Sequence, residues 1–256
     1  MATVPSTPRL MRNGYPTSDG KPMAETDTHR DLMSTLIETL KAFYQADPRV
    51  YVSGNLLIFY EPGNKRRHIS PDVFVVKGVP KQVRPNYLVW EEGKGPDIVI
   101  ELTSSSTRQE DVKKKFDLYQ NTLKVKEYFL FDPLGDYLDP PLRGYRLRAG
   151  NYHPIRKVNG RLPSQVLGLH LERDGNQLRL YDPSTQQRLP TPQEAQQRDK
   201  QARQQAEQAR QQAEQAQQQA EQAQRQAEQA QQRAEAETER LRRENEELRR
   251  RMSEGN

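Results

Sequence analysis

Three residues in the middle of the chain carry the chemistry: Asp72, which follows Pro71; Glu101, inside the apolar run Pro96-Asp97-Ile98-Val99-Ile100-Glu101-Leu102; and Lys115 beyond it. Two carboxylates on neighbouring strands can share one hard divalent cation. Magnesium prefers oxygen ligands and keeps several waters, so two protein carboxylates and a phosphate oxygen suffice, with manganese as the alternative ion. Such an ion would polarise a phosphate and help to ionise a water. A lysine beside it would orient that water or offset charge building on the phosphate oxygens. Glu101 is the most telling of the three, because a carboxylate in an apolar strand is costly to bury without a cation. The plain alternatives are a turn cap for Asp72, a salt bridge for Glu101 and a solvated pair with Asp111 for Lys115. Asp97 also follows a proline, but it precedes Glu101 on the same strand and is read as a decoy. No residue is assigned to an organic cofactor.

These side chains need elements to position them. Leu32, Met33, Leu36, Ile37, Leu40 and Phe43 recur at helical spacing after a cap at Thr28, and Pro48 ends that helix. His29 and Glu38 on it could reach the site as supporting residues, with a plain surface role as the favoured alternative. Residues 50–60 read as one strand, 69–76 as a second and 96–102 as a third, buried on both faces. Residues 77–95 read as a loop. A helix follows Ser104-Ser105-Ser106-Thr107, with an apolar stripe of Val112, Phe116, Tyr119 and Leu123, and a fourth strand spans Glu127–Phe131. At about 100° per residue, Lys115 falls roughly 70° from the centre of that stripe, whereas Lys114 points to solvent. Asp111, Lys115 and Tyr119 follow at i, i+4 and i+8 and share one edge, which makes Asp111 and Tyr119 supporting candidates. The order helix, three strands, helix, strand predicts an α/β sheet with a right-handed crossover between the last two strands. Hairpins around Ala149-Gly150-Asn151 and Asp174-Gly175 extend it.

The ends differ in kind. Residues 1–25 are polar and rich in Pro and Gly and read as a mobile lead; the folded domain spans 26–190. From 195 to 256 the chain is Ala- and Gln-rich. Ala202, Ala206, Ala209, Ala213, Ala216, Ala220, Ala223, Ala227, Ala230 and Ala234 alternate spacings of four and three, the seam of a coiled coil. Thr238, Leu241, Asn245, Leu248 and Met252 continue it slightly out of phase. The tail predicts a homo-oligomer through residues 201–252. Its alternative is a solvated single helix.

The run Ile100-Glu101-Leu102-Thr103-Ser104-Ser105-Ser106-Thr107, with Asp111, Lys115, Tyr119, Glu127-Tyr128-Phe129 and Asp132-Pro133, resembles the bacterial Uma-type endonuclease family, long a domain of unknown function. Leu167-Gly168-Leu169 and Leu178–Asp182 share the likeness, which covers about residues 25–185. Pro71-Asp72 and Glu101 also resemble the PD-(D/E)XK nuclease superfamily to which such enzymes belong. The resemblance implies a restriction-endonuclease-like core, magnesium on Asp72 and Glu101, and cleavage of DNA. In the superfamily the third strand ends Glu-x-Lys; here that position is Thr103, and the resemblance places the lysine on the following helix at Lys115. Two other readings remain: an inactive DNA-binding or regulatory module on the same fold, and a scaffold whose working part is the tail.

Composition limits the remainder. The 256 residues carry a net charge of +5 and no cysteine, which excludes disulfides and thiolate metal sites. The four scattered histidines give no pattern for a zinc site. No apolar run approaches the ~20 residues of a membrane span, and the cytoplasm is the expected compartment.

Overall fold

The computed structural model describes residues 14–18, 26–104, 107 and 109–254. Helix α1 (Asp27–Phe43) leads into strands β1 (Val50–Ser53), β2 (Ile58–Phe59), β3 (His68–Ile69), β4 (Val73–Lys77) and β5 (Tyr87–Leu88). The single-turn helix α2 (Val89–Glu92) and β6 (Ile98–Leu102) follow. A helix with π-wound segments Glu110–Lys115 and Leu118–Thr122 connects to β7 (Glu127–Phe131). After it come β8 (Leu142–Arg148), β9 (Asn151–Pro154), β10 (Leu162–Pro163), β11 (His170–Asp174), β12 (Gln177–Asp182) and β13 (Gln187–Arg188). The long helix α3 (Pro192–Glu254) ends the chain.

The core is the expected α/β arrangement. Six strands pair in the order β1-β4-β6-β7-β8-β9. Strands β4 and β6 run antiparallel with Val73 opposite Ile100, whereas β6 and β7 are parallel with Glu101 opposite Leu130. The parallel pair needs a crossover, and the π-wound helix supplies it. One face of the sheet buries Val73, Val75, Ile98, Ile100 and Phe129 against Leu32, Leu36 and Leu40 of α1. Leu171, Leu178 and Leu180 of a second sheet, ordered β10-β11-β12-β13, join that cluster. The other face buries Phe74, Val76, Val99, Tyr128 and Leu130 against Tyr119, with Phe116 packed beside them. Because β6 is covered on both sides, its five residues are all buried, as the unbroken apolar run predicts.

Several expectations need correction. Thr26, not Thr28, caps α1; its hydroxyl accepts the His29 N–H at 3.3 Å. Residues 50–60 are two strands, because the chain kinks at Gly54-Asn55, where Asn55 adopts φ 48°. Residues 69–76 are likewise split between β3 and β4, which leaves Pro71-Asp72 in the gap. Residues 77–95 contain β5 and α2; β5 joins β2 and β3 in a small sheet of order β3-β2-β5. Both predicted hairpins form. Arg148 pairs with Asn151 across Ala149-Gly150, both at positive φ, the geometry of a two-residue type I′ turn. The expected mobile lead lies outside the described residues except at 14–18. There Tyr15 packs on Phe59 and Trp90, with ring centroids 4.9 and 5.3 Å away, and its hydroxyl accepts the Gly63 N–H at 2.8 Å.

The chain divides into two units, Met1–Glu194 and Ala195–Asn256. The tail helix starts before residue 195, on a capping box missed in the sequence. Thr191 Oγ1 accepts the Glu194 N–H at 3.2 Å, and Glu194 Oε2 accepts the Thr191 N–H at 2.8 Å. Pro192 fills the first helical position, where its missing N–H costs nothing. Arg179 of β12 holds both Glu194 oxygens, at 2.9 and 2.7 Å. From residue 201 to 247 the described side chains are all exposed, the alanine seam among them, and Leu241 is 48% exposed. The side chains of Leu248 and Met252 lie outside the described residues. No described helix is long and apolar enough to cross a membrane.

Candidate active site

The site lies where β4 begins, β6 ends and the π-wound helix crosses above them. The register that sets Val73 opposite Ile100 sets Asp72 beside Glu101 one step along. The Asp72 N–H donates to Glu101 Oε2 at 3.3 Å, and Asp72 Oδ2 accepts the Leu102 N–H at 2.7 Å. An aspartate's own oxygens lie within about 4 Å of its nitrogen, so the two carboxylates are separated by roughly 8 Å at most. Gly54 makes this placement feasible. A Cβ there would collide with the Asp72 carbonyl oxygen and with the Ile37 side chain. Next to it, the Asn55 N–H donates to the Pro71 carbonyl at 2.8 Å. The kink at Gly54-Asn55 thus wraps the backbone around Pro71-Asp72. A glycine interrupting a strand pattern was the available sequence signal for this close approach.

From the helix come Asp111, Lys115 and Tyr119. Lys115 Nζ lies 2.9 Å from Glu101 Oε2 and 3.0 Å from Asp111 Oδ1. The Tyr119 hydroxyl donates to Glu101 Oε1 at 2.6 Å. The three side chains share an edge, although the winding assumed for them does not hold. An α turn overshoots at i+4, whereas the wider π turn falls short. Alternating the two keeps i, i+4 and i+8 nearly in line. Lys113 and Lys114 are exposed. Tyr128 of β7, which the sequence marked within the family resemblance but not as a site residue, secures this turn by donating its hydroxyl to the Asp111 carbonyl at 3.0 Å.

The other candidates separate cleanly. His29 Nε2 is 3.2 Å from Asp72 Oδ1, so α1 contributes a side chain to the site. Glu38 does not reach it. Nine residues beyond His29 at 100° each, it faces the opposite way, and it is exposed and paired with Lys41 at 2.9 Å. Asp97 sits at the far end of β6, held by Lys94 at 2.7 Å, Lys126 at 2.8 Å and the Lys77 N–H at 2.7 Å. It is a buried clamp at the base of the sheet. Asp97→Asn should therefore cost about 1–3 kcal/mol of stability in urea unfolding while any activity of the Asp72–Glu101 site stays within about threefold. A loss of activity without a loss of stability would contradict that structural role.

Charge in the site is unbalanced. Asp72, Glu101 and Asp111 face one ammonium, and Glu101 is fully buried. Burial pushes the Glu101 carboxyl up to about 8; Asp72 and Asp111 push the same way, against Lys115 and the Tyr119 hydroxyl. Burial also raises Asp111, opposed by Lys115. Burial works against charged Asp72 too, but His29, the Lys115 charge and the Leu102 N–H outweigh it and hold that carboxyl below its ordinary value. For Lys115 burial disfavours the charge, yet the three carboxylates prevail and keep it protonated well above the ordinary lysine range. Thr103, at the superfamily's lysine position, is 2% exposed, and its hydroxyl meets no partner among the described residues.

No curated protein matches the chain. A solved structure titled as "a putative nuclease belonging to DUF820" from Anabaena variabilis ATCC 29413 is similar at 18% identity and a TM-score of 0.43, over 64% of this chain and 89% of that one. A family profile described as "Uma2: Putative restriction endonuclease" matches residues 15–180, which include every element of the site. The chain belongs to this Uma2 family of restriction-endonuclease-type proteins.

Proposed function

We propose that the protein is a magnesium-dependent endonuclease that hydrolyses DNA phosphodiester bonds, with manganese able to replace magnesium. The observation that carries this reading is a buried cluster of three carboxylates around one ammonium, in which burial, with Asp72 and Asp111 and against Lys115, pushes Glu101 up to about 8. Its donors are hard oxygens, which suit a hard cation. Among the described residues no three His, Asp or Glu side chains are placed to hold an ion by themselves. Magnesium asks for fewer, since it is held by one or two carboxylates and completes its shell with water and phosphate.

Asp72 and Glu101 would hold the ion, which when bound would polarise the phosphate and lower the pKa of a water. Tyr119 fixes the direction of Glu101, and His29 that of Asp72. The Lys115 ammonium offsets charge on the phosphate oxygens and orients the attacking water. Hydrolysis adds the water oxygen to phosphorus and breaks one bond from phosphorus to a sugar oxygen. Supercoiled plasmid incubated with the full chain should be nicked or linearised with magnesium and left intact with EDTA, and Asp72→Asn should lose that activity. Cutting that survives EDTA and Asp72→Asn would sink the proposal.

Thr103 at the usual lysine position favours a second reading, a DNA-binding module without cleavage. Magnesium-dependent binding of duplex DNA with no product after long incubation would support it.

The tail would pair two such chains, an arrangement suited to cutting both strands of a duplex. Its alanines are exposed along the single helix, and Asn245 at an inner position of the terminal zipper would favour a parallel dimer in one register. Sedimentation of the full chain should give twice the chain mass, and Leu241→Glu should weaken association by roughly tenfold or more. A monomer at all concentrations would refute the pairing.

A further inference from the structure

Glu101 is nearly saturated before any ion arrives. A carboxylate has about four acceptor sites. Tyr119 takes one on Oε1, while Lys115 and the Asp72 N–H take two on Oε2. The Lys115 ammonium lies between Glu101 and Asp111 at nearly equal distances of 2.9 and 3.0 Å, so it occupies the ground that a cation on Glu101 would need. Two cations on one carboxylate oxygen repel each other.

Asp111 offers the displaced ammonium somewhere to go. It lies one turn earlier on the same helix and is 1% exposed. Both of its oxygens are buried, and its close donors are the Lys115 ammonium at 3.0 Å and the Thr107 hydroxyl, which leaves part of the carboxylate's roughly four acceptor sites in hand. The Tyr128 hydroxyl anchors its carbonyl, which keeps that turn in place. We propose that Asp111 is a positioning residue that takes over the Lys115 ammonium when a divalent cation claims Glu101, so that Lys115 changes partner within the site instead of leaving it. This inference rests on the assignment of Asp72 and Glu101 as the cation-binding pair. Its consequence is thermodynamic. Without the Asp111 charge the displaced ammonium would be buried with no anionic partner of its own, which is costly, and Lys115 would therefore defend Glu101 against the ion.

Titration of manganese alone into the full chain by calorimetry tests this as a double-mutant cycle. Lys115→Met should tighten manganese binding. Asp111→Asn should weaken it by about tenfold or more with Lys115 present, and by less than about threefold in the Lys115→Met background. Equal losses in the two backgrounds would mean that Asp111 acts on the ion directly, and no loss in either would mean that it does not act; either result overturns the proposal. If Lys115→Met fails to fold by circular dichroism, Lys115→Gln takes its place in the cycle. In the unmutated chain, nitrogen-15 NMR of the Lys115 ammonium on adding magnesium gives an independent reading. A shifted, persistent signal supports transfer to Asp111, and its disappearance into solvent exchange contradicts it. Asp72→Asn in the Lys115→Met background isolates the underlying assignment: manganese binding that survives there removes the cation-binding pair itself, and the partner exchange falls with it.

Discussion

Glu101→Gln is expected to abolish magnesium-dependent cleavage, by roughly 10³-fold or more, and yet to leave the metal-free protein more stable at alkaline pH. Both effects come from one carboxylate. In the unfolded chain Glu101 titrates near 4.5, and in the folded chain burial among like charges pushes it up to about 8. A group raised by folding favours its protonated form in the native state. Its stabilising contribution is therefore complete below about pH 4.5 and is lost as the pH rises through 8. At pH 8.5 the ionised side chain costs on the order of a few kcal/mol. Glutamine keeps the shape and carries no charge, so it cannot hold the ion but escapes that cost. Thermal melts of the metal-free chain should fall by several degrees between pH 5 and 8.5, and the variant should show a much flatter profile. A variant that loses activity and is also less stable at pH 8.5 would mean that Glu101 is a structural ion-pair partner.

Gly54→Ala is the second large effect, at a residue with no chemistry of its own. The added methyl would meet the Asp72 carbonyl oxygen and the Ile37 side chain. Neither can yield cheaply, because Ile37 packs against the core and the Asp72 backbone is tied to both β6 and the Gly54-Asn55 kink. Overpacking of this kind costs typically about 1–3 kcal/mol. Relief by moving Asp72 would displace its carboxylate, and a misplacement of about 1 Å can cost roughly 10²-fold in rate. The variant should therefore lose both stability, read by urea unfolding, and cleavage. Substitution at Gly63, where an added Cβ meets nothing within 4 Å, should leave cleavage intact despite backbone strain at its positive φ. Normal activity in Gly54→Ala would show that the kink does not set the position of Asp72.

How much of this was legible in the sequence depends on the range of the interactions involved. The apolar run around Glu101 announced a central strand with one buried carboxylate. The i, i+4, i+8 spacing of Asp111, Lys115 and Tyr119 announced a shared edge. Those signals are local and survive without coordinates. The break between β1 and β2 is only partly local: Val50–Tyr60 is apolar enough for one strand, Gly54 is its one local sign, and the contact with Pro71-Asp72 that uses it is long-range. The π winding was also hidden, because the side-chain pattern over Glu110–Thr122 fits an ordinary helix equally well. His29 and Glu38 show the same limit. Both lie on α1, and a correct angular comparison would have excluded Glu38 beforehand, whereas the nearness of His29 to Asp72 needs the packing of α1 on the sheet. The capping box at Thr191–Glu194 is a local pattern, legible in the sequence just ahead of the Gln- and Ala-rich repeat.

The most direct test of the account is anomalous diffraction from crystals of the full chain grown with manganese. The expected result is one ion per chain, bound by oxygens of both Asp72 and Glu101, with Lys115 no longer on Glu101. An ion bound elsewhere, or crystals of demonstrably active protein with no ion at that pair, would contradict it.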